Sequence, residues 1–108
     1  MSSDITKHHL LTLLQGHVGA DKGIGAKAIA AQLGCNKRQV RDLVTALRLD
    51  GSAICGHPST GYFVAETPQE IERTCRFLRD RAMTSLVLEA RLRGLPLADL
   101  LGQLRLPT

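Results

Sequence analysis

The residues of this chain best equipped for chemistry stand together between Asn36 and Arg48: Lys37, Arg38, Gln39, Arg41, Thr45 and Arg48. The chemistry they suit is recognition. Arginine or lysine near the start of a helix can donate to O6 and N7 of guanine, and glutamine can pair with N6 and N7 of adenine. Thr45 and Arg48, further along, are placed to reach phosphate or solvent. From Lys37 to Arg48 four cations face Asp42 alone, a local net of +3, whereas Glu66 to Arg93 holds six arginines against five acids. The formal net charge of the whole chain is +4. Unbalanced positive charge therefore gathers on one segment, as phosphate contact requires. A merely solvated basic face is the plain alternative. For Gln39 the alternative is structural, closing a capping box with Asn36.

Other constellations lack parts. GADKGIG (Gly19 to Gly25) has glycines and a lysine but not the G-x-x-x-x-G-K-[ST] order of a phosphate-cradling loop. Ser59 and His57 are neighbours with no acid placed to orient the histidine, and no carboxylate pair lies in a plausible cleft. The expectation is a protein that is not an enzyme and needs no cofactor. Metal binding fails on spacing: His8 and His9 are adjacent and point to different helix faces, and Cys35, Cys55 and Cys75 form no Cys-x-x-Cys pair. An odd number of cysteines reads as reduced thiols in a cytoplasmic protein. The opening MSSDITKHHLLTLLQGH is not a signal peptide, and no apolar run approaches the roughly 20 residues needed to span a bilayer.

The elements that would position the basic segment follow from periodicity. Asp4 to Gln15 reads as a first helix, with Ser3 or Asp4 as N-cap. The Gly19 to Gly25 loop can order Ile24 as a short bridging strand. Ala26 to Leu33 is a second helix with Ala28, Ile29 and Leu33 inward. Gly34-Cys35-Asn36 is the turn, Gly34 taking positive φ. Helix three runs from Lys37 to about Leu49, with Val40, Leu43, Val44 and Leu47 at i, i+3, i+4 and i+7 as its buried stripe. Ser52 to Gly56 and Gly61 to Ala65 are two short strands with Ile54, Tyr62 and Val64 inward. Their tip carries His57, Ser59 and Thr60, which either touch a phosphate or minor groove or form a plain turn. Thr67-Pro68-Gln69-Glu70 starts a long helix reaching about Arg93. After Gly94 a short helix begins at Pro96. Aromatics are only 3% of the chain, so the core should be aliphatic.

The run IAAQLGCNKRQVRDLVTALR, followed by Asp50-Gly51 and ending in PSTGYFV, resembles the small winged helix-turn-helix at the front of biotin-operon repressors and related regulators. The resemblance covers about Ile5 to Val64, with Gly61-Tyr62 closing the hairpin as in that group. It implies a three-helix winged fold and DNA binding through Lys37 to Arg48. Ser59 and Thr60 stand where a lysine or arginine is common at the wing tip, and no ligase or effector domain follows, so biotin chemistry is not implied.

The fold expected is mainly α with a small β-hairpin: a winged helix-turn-helix over residues 1–65, then a helical extension over 66–108. In the extension Ile71, Cys75, Leu78, Ala82 and Leu86 form one apolar stripe, and Leu97, Leu100, Leu101 and Leu104 another. Both are candidates for homodimerisation or for packing back on the chain itself. Two half-sites would double the contacts one helix can make. The leading expectation is therefore a homodimeric, sequence-specific regulator of double-stranded DNA, of the compact form found in small phage or plasmid regulators. The alternative is a protein-interaction adaptor, such as a replication or helicase-loading accessory, that docks through the same elements.

Overall fold

The computed structural model of the chain describes residues 5–104. The protein is mostly helical with one two-stranded antiparallel hairpin among the described residues. It divides into two compact units, Met1–Thr74 and Cys75–Thr108, so the first turns of the long helix belong with the N-terminal unit rather than with the extension.

Helix α1 (Lys7–Leu14) starts later than expected. Thr6 is extended and takes the N-cap position, and His9 Nδ1 accepts from Thr6 N at 3.0 Å, half of a capping box built with histidine in place of the usual Glu or Gln. The expected caps Ser3 and Asp4 lie outside the described residues. Helix α2 (Ala26–Leu33) has the expected bounds but a shifted inner face. Ala28 is exposed and Ala30 buried, because Ala26, Ile29, Ala30 and Leu33 form the i, i+3, i+4, i+7 row and Ala28 lies off it. Helix α3 (Lys37–Leu49) buries Val40, Val44 and Leu47, with Leu43 half-buried.

These helices close one aliphatic cluster of Leu10, Leu14, Ile24, Ile29, Ala30, Val40, Val44, Leu47 and Ile54. Burying each of its larger side chains contributes about 1.5–3 kcal/mol before chain entropy is set against it.

Strands β1 (Ile54–His57) and β2 (Gly61–Val64) pair Ile54 with Val64 and His57 with Gly61. Ile54, Tyr62 and Val64 face the cluster, as their alternation requires. The other face is not solvent-exposed: Cys55 and Phe63 are 2% and 4% exposed. Thr74, itself buried, accepts from Gly56 N at 3.3 Å, which brings the start of helix α4 (Pro68–Arg93) against the hairpin. Ile24 and Tyr62 exchange backbone hydrogen bonds of 2.9 and 2.8 Å, so Ile24 bridges to the hairpin, as a single-residue β-bridge rather than a strand.

In the second unit, α4 ends at Gly94, whose φ of +68° suits glycine. The chain turns there into helix α5 (Leu97–Leu104). Ala90 of α4 and Leu100 of α5 are 3% and 1% exposed, and Leu95 N donates to Ala90 O at 2.9 Å across the turn. No helix among the described residues is long and apolar enough to cross a membrane.

Candidate nucleic-acid interface

The turn between α2 and α3 is fixed at both ends by its own hydrogen bonds. Gly34 adopts the left-handed conformation, φ 71° and ψ 38°, which lets Cys35 N reach back to Ala30 O at 3.0 Å, the six-to-one bond of a Schellman ending. One residue later Asn36 Oδ1 accepts from Gln39 N at 2.8 Å, and Gln39 Oε1 accepts from Asn36 N at 3.0 Å. The capping box is complete. Gln39 is thereby committed through its oxygen, and only its amide nitrogen stays available to a ligand.

On α3 the buried row leaves Lys37, Arg38, Arg41, Asp42 and Thr45 exposed on the opposite side. Arg38, Arg41 and Thr45 lie at i, i+3 and i+7 and so form one line along the helix. Among the described residues no acid forms an ion pair with Lys37, Arg38 or Arg41. Thr45 Oγ1 donates to Arg41 O at 3.0 Å, which spends its proton and leaves its lone pairs outward. Near the helix end Lys7 Nζ and Asp50 form an ion pair that ties α1 to the end of α3.

Arg48 differs from the other cations. Its Nε donates to Ile54 O at 2.8 Å, and the residue is half-buried. It therefore anchors the hairpin to α3, with the rest of its guanidinium left for other partners. Nothing in the local sequence marks this, because the acceptor is a backbone carbonyl beyond the turn at Gly51.

The hairpin tip is folded on itself. His57 Nδ1 lies 2.8 Å from Ser59 Oγ and accepts from Ser59 N at 3.1 Å. Thr60 N donates to His57 O at 3.1 Å, and Thr60 Oγ1 donates to Gly61 O at 2.9 Å. His57, Pro58 and Ser59 are exposed and Thr60 is half-buried. The tip lies on the same hairpin that Arg48 anchors.

Two features escaped the sequence reading. Gly23 and Gly61 hold the Gly19–Gly25 loop against the tip: a Cβ at Gly23 would overlap the Thr60 carbonyl, and one at Gly61 (φ +76°) would lie 2.5 Å from Ile24 C. Glu70 does more than start α4. Its carboxylate accepts from Glu66 N at 2.7 Å and Thr67 N at 3.3 Å, and also from Ala20 N at 2.8 Å. These bonds, from Glu66 first and Ala20 next, hold its pKa below the ordinary carboxylate value.

Of the second candidate set, Ile71 and Leu78 are 43% and 42% exposed, Cys75 and Ala82 are exposed, and Leu86 is half-buried. On α5 Leu100 is buried, Leu97 and Leu101 are half-buried, and Leu104 is exposed. No group of three or more metal-ligating side chains occurs among the described residues. Compared with known proteins, the chain matches no family model, no curated sequence and no solved structure.

Proposed function

We propose that the protein is a small homodimeric regulator of the cytoplasm that binds double-stranded DNA in a sequence-specific manner. The first two turns of α3 enter the major groove, and the β1–β2 hairpin lies beside them as a wing, in the manner of the biotin-operon repressors it resembles. One observation carries the reading. Lys37, Arg38, Arg41 and Thr45 stand exposed on a helix whose other face sets Val40, Val44 and Leu47 in the core, and none of the three cations has an ion-pair partner among the described residues. A surface cation row of that kind gains little by folding and much by displacing counterions from phosphate. Arg38 and Arg41 are the base-reading candidates, Lys37 and Thr45 the flanking contacts, and Gln39 chiefly a cap. The tip residues His57, Ser59 and Thr60 supply at most backbone-level contacts to phosphate. No catalytic step is assigned.

Selection of bound sequences from a random duplex pool tests this. The expected product is an inverted repeat whose half-site centres lie about 34–36 Å apart or a multiple of it. A pool that fails to enrich, with duplex binding that is weak and flat against salt, favours the second reading. That reading is an adaptor, and it draws on Leu88 and Leu92 of α4, which are 59% and 90% exposed.

A further inference from the structure

We infer that two copies of the chain associate through α4 in antiparallel orientation, in the register that sets Ile71 opposite the partner subunit's Ala82 and Cys75 opposite the partner subunit's Leu78. This rests on the homodimer proposed above and adds the geometry of its interface. Along α4 the residues Ile71, Cys75, Leu78, Ala82 and Ser85 advance in alternating steps of four and three, the spacing of a two-helix seam. The first four are open to solvent, with Ile71 and Leu78 close to half exposed. The stripe is therefore a face without a covering, and its own composition argues for what covers it.

Size is the first argument. The stripe alternates large and small: Ile71, Cys75, Leu78, Ala82. Two parallel copies in register would stack isoleucine on isoleucine and alanine on alanine, crowding one layer and leaving a gap in another, and both defects cost packing energy. Reversing one copy makes every layer one large and one small residue. The four layers then have nearly uniform volume.

Charge is the second, independent argument. The residues flanking a seam set the orientation of its partners. In the antiparallel register Glu72 lies beside the partner subunit's Arg79, and by symmetry the pair occurs twice. The parallel arrangement would instead bring Thr74 beside the partner subunit's Arg79 and Arg81 beside the partner subunit's Leu86, with no opposite charges meeting. Shifting the antiparallel register by one heptad would set Arg79 against the partner subunit's Arg79. The self-complementary register is the one that satisfies both size and charge.

Cysteine cross-linking tests it on the full chain. In a Cys35→Ser, Cys75→Ser background, which leaves only the buried Cys55, Ile71→Cys and Ala82→Cys are made separately. In the inferred register each new cysteine lies about 16 Å along the axis from its own copy, at 1.5 Å rise over eleven residues, too far for a disulfide. Each variant alone should stay uncross-linked under mild oxidation, while an equal mixture, allowed to exchange, should give roughly half its chains as a covalent dimer. Sedimentation of the same samples separates the failures. A dimer whose variants each cross-link to themselves overturns the antiparallel register and leaves the homodimer standing. A dimer that never cross-links places the interface elsewhere and overturns the inference. A protein that sediments as a monomer at all concentrations overturns both the inference and the homodimer it rests on.

Discussion

Arg48 Nε donates to the carbonyl of Ile54 at 2.8 Å, across the turn that joins α3 to the hairpin. One side chain thus couples the orientation of the cation-bearing helix to that of the hairpin beside it. Its charge is less important to this task than the position of its Nε partway along the side chain, which lysine's terminal ammonium does not reproduce.

Replacing Arg48 should accordingly cost stability before it costs charge. Arg48→Ala is expected to lower unfolding free energy by about 1–3 kcal/mol, the value of a charge-assisted hydrogen bond whose acceptor, on buried Ile54, loses its partner. Arg48→Lys should recover little of this. Urea unfolding of the three proteins checks it. A lysine variant as stable as the parent would show that Arg48 acts only as a surface cation.

Arg38→Ala and Arg41→Ala should behave in the opposite way. Both side chains are exposed and leave the core untouched, so thermal unfolding should shift by no more than about 0.5 kcal/mol. Duplex affinity should fall by about 1–3 kcal/mol for an arginine that reads a base, or more uniformly across sequences with a salt slope smaller by about one for an arginine that holds a phosphate. Titration against the selected duplex at several salt concentrations distinguishes the two. If both variants bind like the parent, α3 does not read DNA.

What could be seen in the sequence was local. The bounds of α2, α3 and α4 and the Asn36–Gln39 box rest on residues a few positions apart, where capping and periodicity operate directly. What could not be seen joins distant positions. Glu70 reaches Ala20 N across fifty residues, and Arg48 reaches a backbone carbonyl that carries no side-chain signature. Phe63 escapes for a related reason: a strand pattern of period two shows one inward face, and nothing in it reveals that Cys55 and Phe63 on the other are buried too. On α2 Ile29 and Leu33 turn inward as expected and only Ala28 does not, since alanine at 26, 28 and 30 fits more than one helical row. On the candidate site itself, the exposed Lys37, Arg38 and Arg41 were legible, while the commitment of Arg48 and the oxygen of Gln39 emerged only from geometry.

Gly61 and Gly23 should be intolerant of any side chain. At Gly61 the φ of +76° strains an L-residue, and the new Cβ would also press on the Ile24 backbone. Gly61→Ala is expected to cost about 1–3 kcal/mol from the conformation alone, with the clash added. Gly34→Ala makes the control: its φ is also positive, at +71°, but nothing lies within 4 Å of its Cβ position. It should lose only the conformational part. Equal losses in calorimetry for the two variants would mean that the Ile24 approach does not constrain the hairpin.

Glu70 gives the fold an acid-side dependence whose sign follows from its bonds. Its carboxylate is held ionised by the Glu66 and Ala20 amides, against an opposing desolvation that exceeds the lesser contributions of Thr67 N–H and Arg73. A carboxylate with a depressed folded-state pKa contributes stability that is fully present above its unfolded value, here near 4.5, and loses it as pH falls through the lower folded-state value. Glu70→Gln keeps an acceptor oxygen but removes the charge. The variant should melt below the parent at pH 7, and the gap should narrow steadily on acidification below the ordinary carboxylate range, because the parent then becomes neutral too. Thermal scans of both proteins from pH 7 downward measure this gap. A gap that stays constant, or one that widens in acid, would mean that the ionised Glu70 carboxylate is not what ties the Ala20 loop to the start of α4.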